Sequence, residues 1–452
     1  MGPTNCGRNG GKGLRCASAV IPCLGKTIVI GKTAVISVDG HVKASRREYR
    51  EYISEKYLGL FDEEVKAAEE AEIPDAGNLH PELDPEVQWD SDRRLESLEA
   101  IGVVAEVLFP NGQPFQINRL DDYPHAATAE LAEAGRHAYN RWLVDFCARA
   151  PERRRGQMQT SFMDVEQAVR DIHWAKEHGL GGIMMPELTR ESRSLVDPAL
   201  DPIWAACQET GLPISAHGGA SLPDYGPGGF AALVAAMAEN AFFSNRSLWM
   251  LISGGVFDRF QELRVCYVET QAYMMTAALQ HLDSMVNPAG DWMGFARTRN
   301  REQTTERFAS EYLGKNVFVG VSPFSSVQIP MDDLVGKDAG GQPLPGVHIG
   351  SGAAMFGVDY PQFESIFDRT MGAVATLVAT PGVTDDDARR ILLENAAKVY
   401  LFDVSALQPH IDRAGFDLTE VRANAEELKS KMPKETRAPL MGSAAARATA
   451  SA

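Results

Sequence analysis

Four apolar, β-branched runs in this chain stop on side chains that suit a divalent metal, and this repetition constrains the fold more than any bulk property. Residues 33–42, TAVISVDGHV, reach Asp39 and His41. Residues 212–217, LPISAH, end on His217 ahead of Gly218 and Gly219, and residues 353–359, AAMFGVD, end on Asp359 ahead of Tyr360 and Pro361. Residues 263–268 are followed by Glu269. Apolar runs that stop this abruptly read as buried strands. Side chains alternate along a strand, so Asp39 and His41 point the same way with Gly40 between them. A carboxylate and an imidazole placed so can enter one coordination sphere. Taken singly, each is also the ordinary polar end of a strand. Parallel strands in a closed barrel present their carboxyl ends to one mouth, where residues distant in sequence converge.

Between these runs the chain alternates strand and helix signals. A helix over residues 91–101 leads into a strand over 103–109, and 121–150 reads as a long helix with Trp142 and Phe146 on its apolar side. Strands follow at 157–162, 180–185 and 316–320, and helices at 164–178, 197–210, 230–253, 272–285 and 384–397. Residues 46–72 read as helical insertion, and 287–312 and 330–350 as long connections. The expected architecture is a single α/β domain, a (β/α)8 TIM barrel with helical and loop insertions over residues 33–402. Residues 1–32 are expected to be an N-terminal tail, and 403–452 a C-terminal helix with a disordered tail.

The formal net charge of -17 opposes nucleic-acid backbones and anionic membranes, so neither is an expected partner. The basic run of residues 153–155, within PERRRG, reads as a solvated loop between helix and strand. The six cysteines follow no CxxC or disulfide framework, which points to a reduced, cytoplasmic setting. Residues 1–32 superficially follow a signal-peptide pattern, but Lys26 interrupts the apolar stretch and no clean cleavage site follows.

The phrases ISVDGH, DPIWAACQETGLPISAHGG, GGVFDRFQELRVCYVET, MFGVDYP and RRILLENAAKVYLFD, in this order, resemble the amidohydrolase-related family of metal-dependent TIM barrels. That family includes the aminocarboxymuconate-semialdehyde decarboxylase group. The resemblance implies one divalent ion, zinc with manganese as the alternative, bound by Asp39, His41, His217 and Asp359. Asp39 departs from members that carry His or Glu there. Glu269 stands where many decarboxylases of the family have a proton-transferring His.

Hydrolysis of an amide, ester or lactone in a small organic substrate is therefore the first expectation, with Asp359, Glu269 and His217 as the catalytic residues. The alternative is nonoxidative decarboxylation of an aromatic or unsaturated carboxylic acid, which needs a proton donor other than the missing His, such as Asp359 or a protonated Glu269. A third class is a metal-binding or structural barrel without catalysis. Asn111, Gln113, Phe115, Met185, Glu187, Ser322 and Phe324 follow strand ends and are candidate substrate contacts, each with an ordinary role in packing or loop bonding as its alternative. Phe242, Phe243, Trp249 and Met250 suit either core packing or a homodimer contact.

Overall fold

The strand at residues 33–42 is buried along its whole length, as its apolar composition requires, and the rest of the architecture is built outward from it. In this computed structural model the described residues are 20–23, 26–29, 31–115, 129–188, 192–219, 229–286, 307–324 and 328–430. A short antiparallel hairpin, β1 (Val20–Cys23) and β2 (Lys26–Val29), precedes the main sheet. That sheet has eight strands in chain order: β3 (Val35–Val42), β4 (Val103–Pro110), β5 (Arg154–Gln159), β6 (Gly182–Met184), β7 (Ile214–His217), β8 (Val265–Val268), β9 (Val317–Val321) and β10 (Ala354–Phe356). Every neighbouring pair is parallel. The ring closes where Gly40 bridges Tyr360 in parallel and His41 N–H donates to the Tyr360 carbonyl at 2.7 Å. With helices between the strands, this is the expected (β/α)8 barrel.

The apolar core falls into two clusters, as a barrel demands. Ile36, Val38, Cys266, Val268, Phe318 and Met355 form the inner one with Tyr400, and Val35, Val42, Val265 and Tyr267 belong to the outer one against the helices. Val35 and Val42 have opposite parity, yet both lie in the outer cluster. The cause is a register shift between residues 37 and 40 of β3 against β4, a bulge that changes which residues face in.

Three sequence expectations need correction. The strand expected at residues 157–162 runs over Arg154–Gln159, and the basic run ahead of it is no solvated loop: Arg153 and Arg154 are buried. Arg154 faces Glu106 of β4 at 3.5 Å and donates to the Ser91 hydroxyl and the Phe146 carbonyl, while Arg153 pairs with Glu99 at 2.7 Å. Buried countercharges and carbonyls replace the water that the run would otherwise keep. The single helical region expected at 230–253 is two helices, Phe230–Ser244 and Arg246–Ser253, with Asn245 at the break, where its amide donates to the Ala241 and Thr270 carbonyls.

The long helix expected at 121–150 is described as Ala129–Ala148, and residues 121–128 and 431–452 lie outside the described residues. Beyond residue 403 the chain forms the helices Val404–Ala414, Leu418–Ala423 and Ala425–Ser430, and Phe416 bridges back to Thr33. Among the described residues no helix is long and apolar enough to cross a membrane.

Candidate metal centre

Each strand places its polar residue by a local device. The bulge in β3 adds Asp39 and His41 to the inner face already held by Ile36 and Val38. In β7 plain alternation suffices: Ile214 and Ala216 pack outward, while Ser215 bonds inward to Gln157 and Tyr400, carrying His217 to the same side. Asp359 and Glu269 both sit just past strand ends with left-handed backbones, at φ of 62° and 58°. Side chains rarely hold that conformation, and where they do, the surrounding structure enforces it, commonly at functional sites.

These devices bring five residues together. His41 Nε2 lies 3.2 Å from Asp39 Oδ1 and 3.2 Å from Asp359 Oδ1. His217 Nε2 lies 3.3 Å from Asp39 Oδ1 and 3.4 Å from Glu269 Oε2. One donor atom from each of Asp39, His41, His217 and Glu269 falls within 4.8 Å of the others, and Asp359 joins through His41 and Glu269. The other donor atom of each imidazole is engaged: His41 Nδ1 is 3.2 Å from the Pro110 carbonyl and His217 Nδ1 is 2.9 Å from the Gly218 carbonyl. A carbonyl only accepts, so Nδ1 carries the hydrogen in both rings and the neutral rings present Nε2 lone pairs to the carboxylates.

Lone pairs facing carboxylate oxygens require a proton or a cation between them. Without a cation the groups settle by protonation. Burial would lower both imidazoles, but Asp39 outweighs it and raises them. Burial would raise Asp39, but His217 and His41 hold it well below the usual carboxylate range. Burial, reinforced by Asp39, raises Asp359 well above that range. Burial likewise pushes Glu269 up to about 8, with His217 opposing and Asp359 and Asp39 reinforcing. Asp39 Oδ2, His41 Nε2 and both Asp359 oxygens are buried without a hydrogen-bond partner. Two imidazoles, two buried carboxylates and orphaned donor atoms fit a divalent ion, which would replace those protons.

Residues 117–313 match the sequence model of the amidohydrolase family. Over that span the chain is similar to amidohydrolases. The match takes in His217 and Glu269, whereas Asp39, His41 and Asp359 lie outside it. No curated protein sequence matches the chain. Among solved structures, an amidohydrolase from Mycobacterium avium subsp. paratuberculosis is 18% identical with a TM-score of 0.56, covering 82% of this chain and 99% of its own. The 5-carboxyvanillate decarboxylase of Novosphingobium aromaticivorans, solved with manganese, is 20% identical with a TM-score of 0.55, covering 81% and 97%. The 2,6-dihydroxybenzoate decarboxylase of Rhizobium is 14% identical with a TM-score of 0.53, covering 82% and 99%. At these identities the likeness is one of fold.

The barrel distributes the remaining candidates unevenly. Met185 lines a narrow cavity beside His217 with Pro186, Leu188, Ala216 and Phe243. Ser322 is buried with its hydroxyl unpartnered, close to Gly357. Asn111 is engaged elsewhere: its amide donates to Asn78 O and Gln88 Oε1, and its oxygen accepts from Gln362, lacing residues 78–88 onto the mouth. Gln113 accepts from Gln159, Phe115 packs against Tyr57 and Phe61, and Phe324 stacks on Phe356 at 4.4 Å. The Glu187 carbonyl accepts from Ser192 at 3.3 Å.

Arg94 was not singled out by sequence, although it reaches the backbone of His41. A signal existed: Arg94 falls on the same helix face as Leu98, and Glu106 is the lone charge in the strand VVAEVLFP.

Proposed function

We propose that this chain catalyses metal-dependent, nonoxidative loss of carbon dioxide from a small aromatic or unsaturated carboxylic acid. Asp39, His41, His217 and Asp359 would hold the ion, and Glu269 would be the proton donor. The observation that carries the reading is a third carboxyl beside a pair that already balances a dication. Asp39 and Asp359 bring two charges, so an ionised Glu269 would leave the pocket net negative; its side chain is only 19% exposed, and burial favours the neutral acid.

A divalent ion in this cluster would supply a fixed positive charge against which a substrate carboxylate or adjacent hydroxyl is held. The chain's own residues do the rest. His41 and His217 keep Nε2 toward the cluster because Pro110 and Gly218 hold their Nδ1 hydrogens. Met185, Leu188 and Phe243 pack beside His217 and keep that flank of the cluster apolar. As the carbon–carboxylate bond breaks, its electron pair stays on carbon, carbon dioxide leaves, and Glu269 gives its proton to that carbon. The resulting Glu269 carboxylate, partly exposed, recovers a proton from solvent.

The named activities of the similar Rhizobium and Novosphingobium structures support decarboxylation over hydrolysis, and the manganese of the latter sets manganese beside zinc as the proposed ion. Hydrolysis is the second reading, favoured by Asp359, whose two unpartnered oxygens could take a proton from attacking water. The exposed Phe230, Val234, Met237 and Phe242 of one helix support self-association as a dimer, which sedimentation would test.

The deciding experiment offers the metal-loaded chain hydroxybenzoates, amides, esters and lactones in deuterated, heavy-oxygen water and follows products by mass spectrometry. The expected result is carbon dioxide release, with solvent deuterium on the vacated carbon and no solvent oxygen in the remaining product. Product carrying solvent oxygen, without carbon dioxide release, would overturn the reading in favour of hydrolysis.

A further inference from the structure

The seam between β3 and β10 decides the spacing of the candidate ligands, because Asp39 and His41 lie on one side of it and Asp359 follows the other. Its ladder is short: the Gly40–Tyr360 bridge, His41 N–H to the Tyr360 carbonyl, and Asp359 N–H to the Asp39 carbonyl at 3.1 Å. Arg94, from the helix Ser91–Ala100, lies behind this seam with no exposed surface. Its Nε donates to both Glu106 oxygens at 3.0 Å and its Nη2 to Glu106 Oε2 at 2.8 Å. The remaining hydrogens reach backbone: Nη1 to the carbonyls of His41 at 3.1 Å and Val87 at 3.2 Å, and Nη2 to the carbonyl of Tyr360 at 3.1 Å. One rigid fork thus grips the two chain segments that present three of the four ligands.

Gly40 makes room for it. A Cβ there would stand 3.1 Å from Arg94 Nη2 and 3.1 Å from Glu106 Oε2. Stability alone is a weak reason for such a group, since a buried ion pair can often be replaced by apolar side chains without loss. Apolar side chains could not donate to the two carbonyls. Lysine could not span them, because its donors share one nitrogen.

We propose that Arg94, braced by Glu106, is a positioning residue that sets the separation of Asp39 and His41 from Asp359 through the carbonyls of His41 and Tyr360. The proposal rests on the metal-binding reading above and concerns how the ligand set is held, whichever reaction it serves.

The test measures manganese and zinc affinity by calorimetry, the electron paramagnetic resonance spectrum of bound manganese, and thermal stability. It compares the full-length wild type with Arg94→Lys, Arg94→Met and a control, Arg153→Met, each at a temperature where it is fully folded. Arg153 is likewise buried, but it bonds Val104 and Glu99 at the opposite end of the barrel. Both Arg94 variants are expected to bind metal about 10- to 100-fold more weakly, with an altered manganese spectrum. Arg153→Met is expected to lose stability while keeping wild-type affinity and spectrum. Equal loss of affinity in the control, or wild-type affinity and spectrum in both Arg94 variants, would overturn the positioning role while leaving the metal reading intact. Absence of metal binding by the wild type would overturn both.

Discussion

The backbone N–H of Asp359 donates to the carbonyl of Asp39 across 3.1 Å, so the main chain itself holds the carboxylates of the first and last barrel strands side by side. Ionised, the two repel, and the ladder gives them no freedom to part. A cation bound here would turn this enforced proximity from a cost into a binding site.

His217→Ala is therefore expected to abolish stoichiometric metal uptake, read by elemental analysis after metal-replete dialysis. Thermal unfolding gives an independent readout. Free metal at a hundred times the dissociation constant should stabilise the wild type by about 2.7 kcal/mol and leave the variant unmoved. Equal metal content in both proteins would remove His217 from the ligand set.

Glu269→Gln keeps the side chain's shape and removes its acid. Metal content is expected to stay at the wild-type level while turnover falls about 10²- to 10⁴-fold, the usual contribution of a positioned proton-transfer group. Unchanged turnover would dismiss Glu269 from the chemistry.

Gly218→Ala should damage the site from behind. The new Cβ would stand 2.4 Å from the Glu269 carbonyl oxygen, and Glu269 already holds a left-handed backbone, so neither chain can yield cheaply. A destabilisation of about 1–3 kcal/mol is expected from the overpacking, measured by denaturant unfolding. A variant as stable and active as the wild type would show that the two segments move apart freely.

Asp387 predicts an acid limit to stability. Its buried carboxylate accepts from Lys337 and Ser351 at 2.6 Å each and from Thr384 Oγ1 at 2.7 Å. Burial alone would raise it, but these partners hold it well below the usual carboxylate range. A depressed native pKa contributes stability that is fully present above the unfolded value of about 3.9 and is lost as pH falls toward the native one. Asp387→Asn should therefore cost on the order of 2 kcal/mol at neutral pH, and its melting-temperature deficit should shrink below pH ~4. A deficit independent of pH would exclude the charge as its source.

The barrel was legible because its signals are local. Apolar runs ending in Asp39, His41, His217 and Asp359 marked both the strands and their mouth ends; the structure groups Asp39, His41 and His217 with Glu269, and Asp359 reaches them through His41 and Glu269. The run at residues 153–155 was misread for the converse reason. Arginines beside one another look solvated unless their partners are known, and Glu106 and Glu99 lie on other elements some fifty residues away. Asn111 was equally opaque, since its amide is held by Asn78, Gln88 and Gln362, brought to it by the fold alone.

By itself the sequence determined the alternation of buried strand and helix, and with it which residues arrive at the mouth, because burial and side-chain parity are properties of a short stretch of chain. Tertiary structure decided where the donor atoms point. The bulge in β3 exists only against β4, the left-handed turns at Glu269 and Asp359 are held by neighbouring strands, and the Arg94 fork closes the seam through carbonyls on two separate segments. Such directions depend on contacts between elements far apart in the chain, and no local pattern of residues encodes them.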